Sequence, residues 1–455
     1  LSEALPIVED ISAQPPPEEP RKSIPLGFLG RTPPFTQRQR RVFLIAATAG
    51  FFDNYDRALL TLALKQIQKG LRISENALGT LLSVIRLGYI FSLFLTPLAD
   101  VFGRRRLLLY TVVAYTVFTG LAAISPNAHV FVACEILARA FAGAEGTVAM
   151  VILSEEVDAG VRGWAIGLLS ALASVGFGVA ALAFAGINVI PYGWRGLYAL
   201  ALIPLILIIP LRQILPESRR FEREQLEGIA PRNILAPVKA LFGAYPGRLG
   251  MLVTVIFLSA LGGNTAGFYF SKYMQEAHLW SPGNVASLYF IGGALGILGN
   301  IVAGRLSDRF GRRTMGSLFF VLGPILNVWL YSPQSHARLA IPLLARAFSV
   351  VIPIWILQLF FDVASTTILT AYGAELFPTS YRTTAGSVLS VAGTTGGALG
   401  FFLEGRLYRL TGSHWLSIRY LLAFAMIAPI IMYLFFPETA GRELESISPE
   451  EAAAT

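Results

Sequence analysis

The chain has 455 residues, 54% of them hydrophobic and 14% charged, with a mean hydropathy of +0.60. A soluble domain carries about 25% charged residues, so a water-soluble globule is excluded: the polar surface needed to cover its core does not exist. A single cysteine, Cys134, excludes an internal disulfide or thiolate metal cluster, and the formal charge of +8 reflects where basic residues lie in a membrane topology, not a nucleic-acid partner.

Residues 1–41 hold Pro15-Pro16-Pro17, Glu18-Glu19 and a basic cluster ending at Arg41, with no signal-peptide core. They read as a disordered cytoplasmic tail. Crossing the hydrocarbon takes about 20 mostly apolar residues. Such runs lie near 42–64, 77–98, 107–125, 129–154, 163–187 and 195–215, then near 248–272, 284–304, 314–331, 348–374, 383–403 and 417–436. The fold class is therefore an all-α membrane protein of twelve transmembrane helices. It divides into a six-helix bundle at 42–215, a cytoplasmic linker at 216–247, a second bundle at 248–437 and a tail at 438–455. Residues 332–347 either extend the tenth span or form an external loop.

Basic residues orient the chain. With the amino terminus inside, cytoplasmic segments hold 23 of the 36 Lys and Arg. A multi-pass cell-membrane protein with both termini cytoplasmic is expected.

An internal repeat is legible. Asp100-Val101-Phe102-Gly103-Arg104-Arg105 recurs as Asp308-Arg309-Phe310-Gly311-Arg312-Arg313, Glu155 with Arg162 recurs as Glu375 with Arg382, and Pro216-Glu217-Ser218 recurs as Pro437-Glu438-Thr439. The loop Gly304–Arg313 resembles the signature loop of the major facilitator superfamily. Glu375-Leu376-Phe377-Pro378-Thr379 with Arg382, and Pro437-Glu438-Thr439 with Gly441-Arg442, resemble its sugar and metabolite:proton symporter branches. Asn54-Tyr55-Asp56-Arg57 also resembles spinster-type lysolipid transporters. The first loop departs from the pattern, with Thr96 for the usual Gly and Val101 for the usual Arg. Asp100, Arg104, Glu155, Arg162, Asp308, Arg312, Glu375 and Arg382 read either as simple anchors at membrane ends or as a charge network that locks the halves together and releases them. The acids Asp100 and Asp308 favour the switch, because the positive-inside rule gives them no role.

An ionisable residue at membrane depth costs roughly 2.5–3.5 kcal/mol on insertion scales. The first span carries Asp53, Asp56 and Arg57 on one face, the second Arg86, and the fourth Glu135, Arg139 and Glu145. Four acids against three arginines leave one acid to carry a proton. Asp56 is the first candidate, then Asp53 and Glu145. Similar symporters place an Arg early in the fourth helix; here that position is Glu135, with Arg139 one turn deeper. Glu135 and Arg139 also read as a local pair near the outer interface, and Asp53 and Asp56 as acids neutralised by Arg57 and Arg86. In the carboxyl half, Trp355, Gln358 and Asp362 form one stripe suited to a polar organic solute, supplemented by Asn264 and Tyr269. Arg57, Arg86 and Arg139 complete the expected binding set.

The four histidines fall at outer helix ends or loops without metal-ligand spacing. No metal, cofactor or enzymatic activity is expected. The expected partners are a small-molecule solute, protons and the lipid bilayer, and a monomer is expected. The leading function is proton-coupled symport of an organic acid or sugar-like metabolite by alternating access. The alternatives are proton-coupled efflux of drugs or lysolipids, and a non-transporting sensor on the same fold.

Overall fold

The computed structural model describes residues 35–157, 159–203, 235–341, 346–442 and 447–448. Most of the expected tails, most of the linker and the end of the sixth span lie outside the described residues, and so do the side chains of Asp100, Glu155 and Arg162. The amino half contains α1 (Gln37–Leu62), α2 (Leu64–Gly70), α3 (Glu75–Leu95), α4 (Leu98–Phe102), α5 (Arg104–Ala123), α6 (Ala128–Glu156), α7 (Ala159–Ala185) and α8 (Trp194–Leu200). The carboxyl half contains α9 (Leu235–Ala244), α10 (Pro246–Glu276), α11 (Pro282–Phe310), α12 (Arg312–Leu330), strands β1 (Arg338–Ile341) and β2 (Arg346–Ser349), α13 (Val351–Glu375), α14 (Thr379–Thr411), α15 (His414–Ala425) and α16 (Ile427–Phe435).

Ten helical stretches among the described residues are long and apolar enough to cross a bilayer, with α15 and α16 together forming one of them. α1, which carries Asp53, Asp56 and Arg57 near its middle, is not among them. In the described part of the ambiguous stretch after α12, a 3₁₀ turn at Pro333–His336 leads into an antiparallel pair in which Arg338 faces Ser349 and Ile341 faces Arg346. Side-chain caps fix several helix starts. Thr36 and Gln39 form a reciprocal capping box at α1, Asn127 Oδ1 accepts from Val130 N at 3.0 Å at α6, and Ser281 with Pro282 opens α11.

The repeat folds the same way twice. Gly103 and Gly311 both sit at φ 95°, breaking α4 from α5 and α11 from α12. Only glycine adopts that backbone cheaply. The second copy also explains the Pro-Glu-Thr motif at the chain's far end: Glu438 Oε1 accepts from Arg312 N at 2.8 Å, and Oε2 accepts from Arg313 N at 3.2 Å. A carboxylate there satisfies two orphan donors at the positive end of α12.

The buried core differs at the two ends of the molecule. At the face bearing the chain termini, Val42, Leu107 and Ile152 belong to a cluster of the amino half, while Leu249, Phe320 and Leu376 belong to a separate cluster of the carboxyl half. At the far face one cluster runs through both halves, joining Leu62 and Leu78 to Phe270, Met274 and Leu422. Polar bonds reinforce that seam: Lys65 Nζ donates to Gln275 O (3.0 Å), Gln66 Nε2 to Gln275 Oε1 (2.6 Å) and Ser271 Oγ to Leu62 O (2.6 Å). On the termini face, the ion pairs Arg38–Glu156 (2.9 Å) and Arg312–Glu375 (2.7 Å) each join residues of one half. Among the described residues, the halves are joined at the far face and parted at the termini face.

Candidate functional site

A cavity of about 1030 Å³ lies in the cleft between the halves. Its wall includes Arg57 of α1, Arg86 and Tyr89 of α3, Arg139 and Met150 of α6, Asn264 and Phe268 of α10, and Gly386, Ser390 and Phe401 of α14. Met150 and Gly386 lie toward the termini-face ends of their helices, so the cavity leads to that side. Among the described residues, no carboxylate lines it. A second cavity of about 680 Å³ shares Asn264 and Ser390 and adds Asp362, Asn327 and Arg382.

The acids of the amino half stand behind the arginines. Arg57 grips Asp53 with two bonds, at 2.6 Å and 3.0 Å, and lies over the Tyr89 ring at 5.1 Å. Helical spacing alone brings the two together. Arg139 reaches two acids at once: Glu135 Oε2 at 2.8 Å, one turn back on α6, and Asp56 Oδ2 at 3.0 Å on α1. The contact with Asp56 is an ion pair without hydrogen-bond alignment, since neither Asp56 oxygen has a hydrogen-bond partner among the described residues. Asp56, Glu135 and Arg139 are all buried. Removing the arginine would strand two carboxylates, a change worth about 3–5 kcal/mol for a buried pair.

Two expectations are corrected here. Glu135–Arg139 is not merely a local pair, because Arg139 also holds Asp56; and Arg86 neutralises neither acid of α1. Arg86 has no acidic partner among the described residues, and its buried Nε has no hydrogen-bond partner. Its guanidinium instead lies against α14: a Cβ added at Gly397 would stand 3.2 Å from Arg86 Nε and 2.9 Å from Asn264 Nδ2. Gly397 makes room for both groups, while neighbouring Gly396 serves close helix packing, its added Cβ meeting Phe257 O at 2.4 Å. Glu145 is fully buried, and neither carboxyl oxygen has a hydrogen-bond partner among the described residues.

In the carboxyl half the expected stripe divides. Asp362 reaches a cavity wall, but Gln358 and Trp355 do not. Gln358 turns its amide to Asp362 Oδ2. Trp355 stacks on Phe270 at 3.4 Å between ring centroids and meets Tyr289 edge-on at 5.4 Å, which makes it core packing rather than a solute platform in this conformation. Tyr269 is likewise off the wall, its hydroxyl donating to Glu404 Oε2 at 2.7 Å. The aromatic wall is supplied instead by Tyr89, Phe268 and Phe401; no sequence signal separates these rings from the many others facing lipid. Of the termini-face residues, Arg312 contacts Asp308 at 3.3 Å as well as Glu375, Arg382 Nε donates to Phe377 O at 3.2 Å, and Arg104 is buried. Among the described residues, no group of His, Cys, Asp and Glu could hold a metal ion.

Comparison with known proteins places this geometry in a family. The model of the Major Facilitator Superfamily matches residues 46–350 and 252–454. The glucose transporter GlcP of Staphylococcus epidermidis is 23% identical, covering 90% of this chain and 96% of that protein. The benzoate transport protein of Acinetobacter baylyi is 24% identical, covering 87% and 89%. The crystal structure of a D-xylose-proton symporter shares the fold, with a TM-score of 0.70 at 18% identity over 89% of this chain and 99% of that one. These relatives are transporters rather than enzymes, and the twelve-helix fold is theirs. The chain belongs to the Major Facilitator Superfamily.

Proposed function

We propose that the solute carried by this transporter is a small organic anion, a compact aromatic carboxylate, moved together with protons by alternating access. The observation that carries this reading is the wall of the larger cavity, with three arginines and, among the described residues, no carboxylate. Arg86 faces the cleft without an acidic partner among the described residues, and a guanidinium holds a carboxylate through two parallel hydrogen bonds. Tyr89, Phe268 and Phe401 offer apolar faces for a flat ring. The benzoate relative carries such a solute by its name. For a sugar, the same wall offers fewer acceptors than donors.

The coupling rests on Arg139, which touches both the cavity and Asp56. A solute carboxylate on Arg139 competes with Asp56 for one positive charge. At that depth an acid deprived of its counter-charge is neutralised by a proton, so loading of solute and loading of proton go together. Asp56 is the proposed carrier; Glu145, buried without a hydrogen-bond partner among the described residues, now ranks ahead of Asp53, which Arg57 holds. Asn264 completes the solute site from the carboxyl half, and Asp362 stands in the adjoining cavity that shares Asn264. The excess of basic residues supports cytoplasmic termini; the parted face is then the inner one, and a monomer suffices for the cycle. Asp308, Arg312, Glu375 and Arg382, with Asp100, Arg104, Glu155 and Arg162, re-form across the halves when that face closes.

Proteoliposomes with an imposed inward proton gradient test the reading. Labelled benzoate is expected to accumulate and to leak back when the gradient is collapsed. Accumulation of glucose or xylose in place of any carboxylate would overturn the solute class, and outward pumping of lysolipid would overturn the direction.

A further inference from the structure

The seam at the far face holds a chain of ionisable groups that the transport site does not use. Glu404 of α14 is fully buried. Its Oε1 lies 2.5 Å from His414 Nδ1, and its Oε2 accepts from Tyr269. His414 Nε2 lies 2.8 Å from Glu75 Oε2. Glu75 belongs to the amino half, at the start of α3; His414 and Glu404 belong to the carboxyl half. Lys272 of α10, also fully buried, joins Glu75 at 3.2 Å, Glu276 at 2.9 Å and Gln68 Oε1 at 2.6 Å. Gly79 of α3 permits this close approach, since a Cβ there would meet Glu404 Oε2 at 2.7 Å and Phe401 O at 2.5 Å.

The imidazole sits between two carboxylates, and each nitrogen-to-oxygen contact needs a hydrogen in it. Carboxylate oxygens and a bare ring nitrogen otherwise oppose lone pairs. A neutral imidazole supplies one hydrogen. The second must be an added proton, on the ring or on one carboxyl group. The other groups facing the triad do not remove that need: Tyr269 donates to Glu404, Lys272 serves Glu75 and Glu276, and Tyr408 stacks on the His414 ring at 4.0 Å. With all three glutamates ionised, Lys272 and an imidazolium leave one net negative charge; losing the proton leaves two. The Glu75 side chain is 41% exposed, which gives protons from the far side access to the triad.

We propose that Glu75, His414 and Glu404 form a proton-dependent latch that holds the far face closed. Opening that face must pull Glu75 off both His414 and Lys272. A proton arriving from the far side closes the latch, and its loss frees one arm and favours opening. The direction suits a symporter, whose far face should shut after protons load, but the latch stands on its own geometry.

The test uses no solute, so an error in the solute reading leaves it intact. Spin labels are placed at Val189 and Leu410, 85% and 83% exposed on the two halves, in full-length protein carrying Cys134→Ala. Distances are measured in nanodiscs from about pH 5 to about pH 9, the range in which an imidazole–carboxylate cluster exchanges protons. The open population is expected to grow as pH rises, by up to about tenfold per pH unit for one linked proton. His414→Gln, which keeps a hydrogen-bonding side chain but cannot titrate, is expected to flatten that dependence. Glu75→Gln, a change at a partly exposed site that spares folding, is expected to raise the open population at low pH and flatten the curve too. A pH-independent wild type, or a wild-type curve preserved in either variant, would overturn the latch.

Discussion

The two halves repeat one helical plan but bury their charges differently. The amino half puts acids and arginines at the middle of its spans, where Arg57 and Arg139 hold Asp53, Asp56 and Glu135 beside the cavity. The carboxyl half keeps most of its charge at helix ends, in the Arg312–Glu375 pair on one face and the Glu404–His414 pair on the other. Asp362 is its mid-span exception. In the proposed function, mid-span charge couples protons to a solute in the first half; in the proposed latch, end charge holds or releases a face.

Arg139→Gln presses hardest on this contrast, because it strands both Asp56 and Glu135. A stability loss of about 3–5 kcal/mol is expected, read as a lowered melting temperature in detergent, with uptake abolished. Asp362→Asn, at the corresponding depth of the other half, is expected to change stability by less than about 1 kcal/mol; equal losses at the two sites would erase the contrast. Trp355→Ala removes a ring packed on Phe270 and is expected to cost about 3–5 kcal/mol as a core cavity, while the solute KM of the folded fraction is unchanged. A raised KM at full stability would return Trp355 to the binding site.

Arg86→Gln sharpens the contrast from the solute's side. No acid is stranded, so melting should be unaffected, whereas carboxylate affinity should fall by about 2–5 kcal/mol, the usual loss when one partner of a buried charged contact is removed. Competition binding with labelled benzoate measures it. Asp308→Asn is the smallest expected effect. Asp308 is exposed and its partner Arg312 keeps Glu375, so stability should change by less than about 0.5 kcal/mol, with a shift toward the state parted at the termini face visible only in spin-label distances.

How much of this was legible beforehand depends on separation in the chain. The repeat was readable because Asp-x-Phe-Gly-Arg-Arg is local, and its glycine adopts the same positive φ in both copies. Asp53–Arg57 and Glu135–Arg139 were readable because four residues make one helical turn. The second partner of Arg139 was not, since only the packing of α1 on α6 brings Asp56 to it. The far-face latch was missed for a different reason. Apolar runs set the expected span ends at 272 and 403, but α10 continues to Glu276 and α14 to Thr411, so Lys272 sat on a boundary and Glu404 fell just beyond one. His414 read as an outer-end residue; it starts α15 and is buried against an acid 339 positions away, a pairing no local pattern reveals.

The claim that charge in the amino half couples protons to solute is tested most directly by Asp56→Asn in proteoliposomes, with accumulation and exchange measured on the same preparation. Asparagine mimics the protonated acid and cannot release its proton. Gradient-driven accumulation of benzoate should be lost while equilibrative exchange of labelled for unlabelled benzoate persists, since exchange moves no net proton. Accumulation retained by both Asp56→Asn and Asp53→Asn would contradict the assignment to α1 and pass the proton to Glu145.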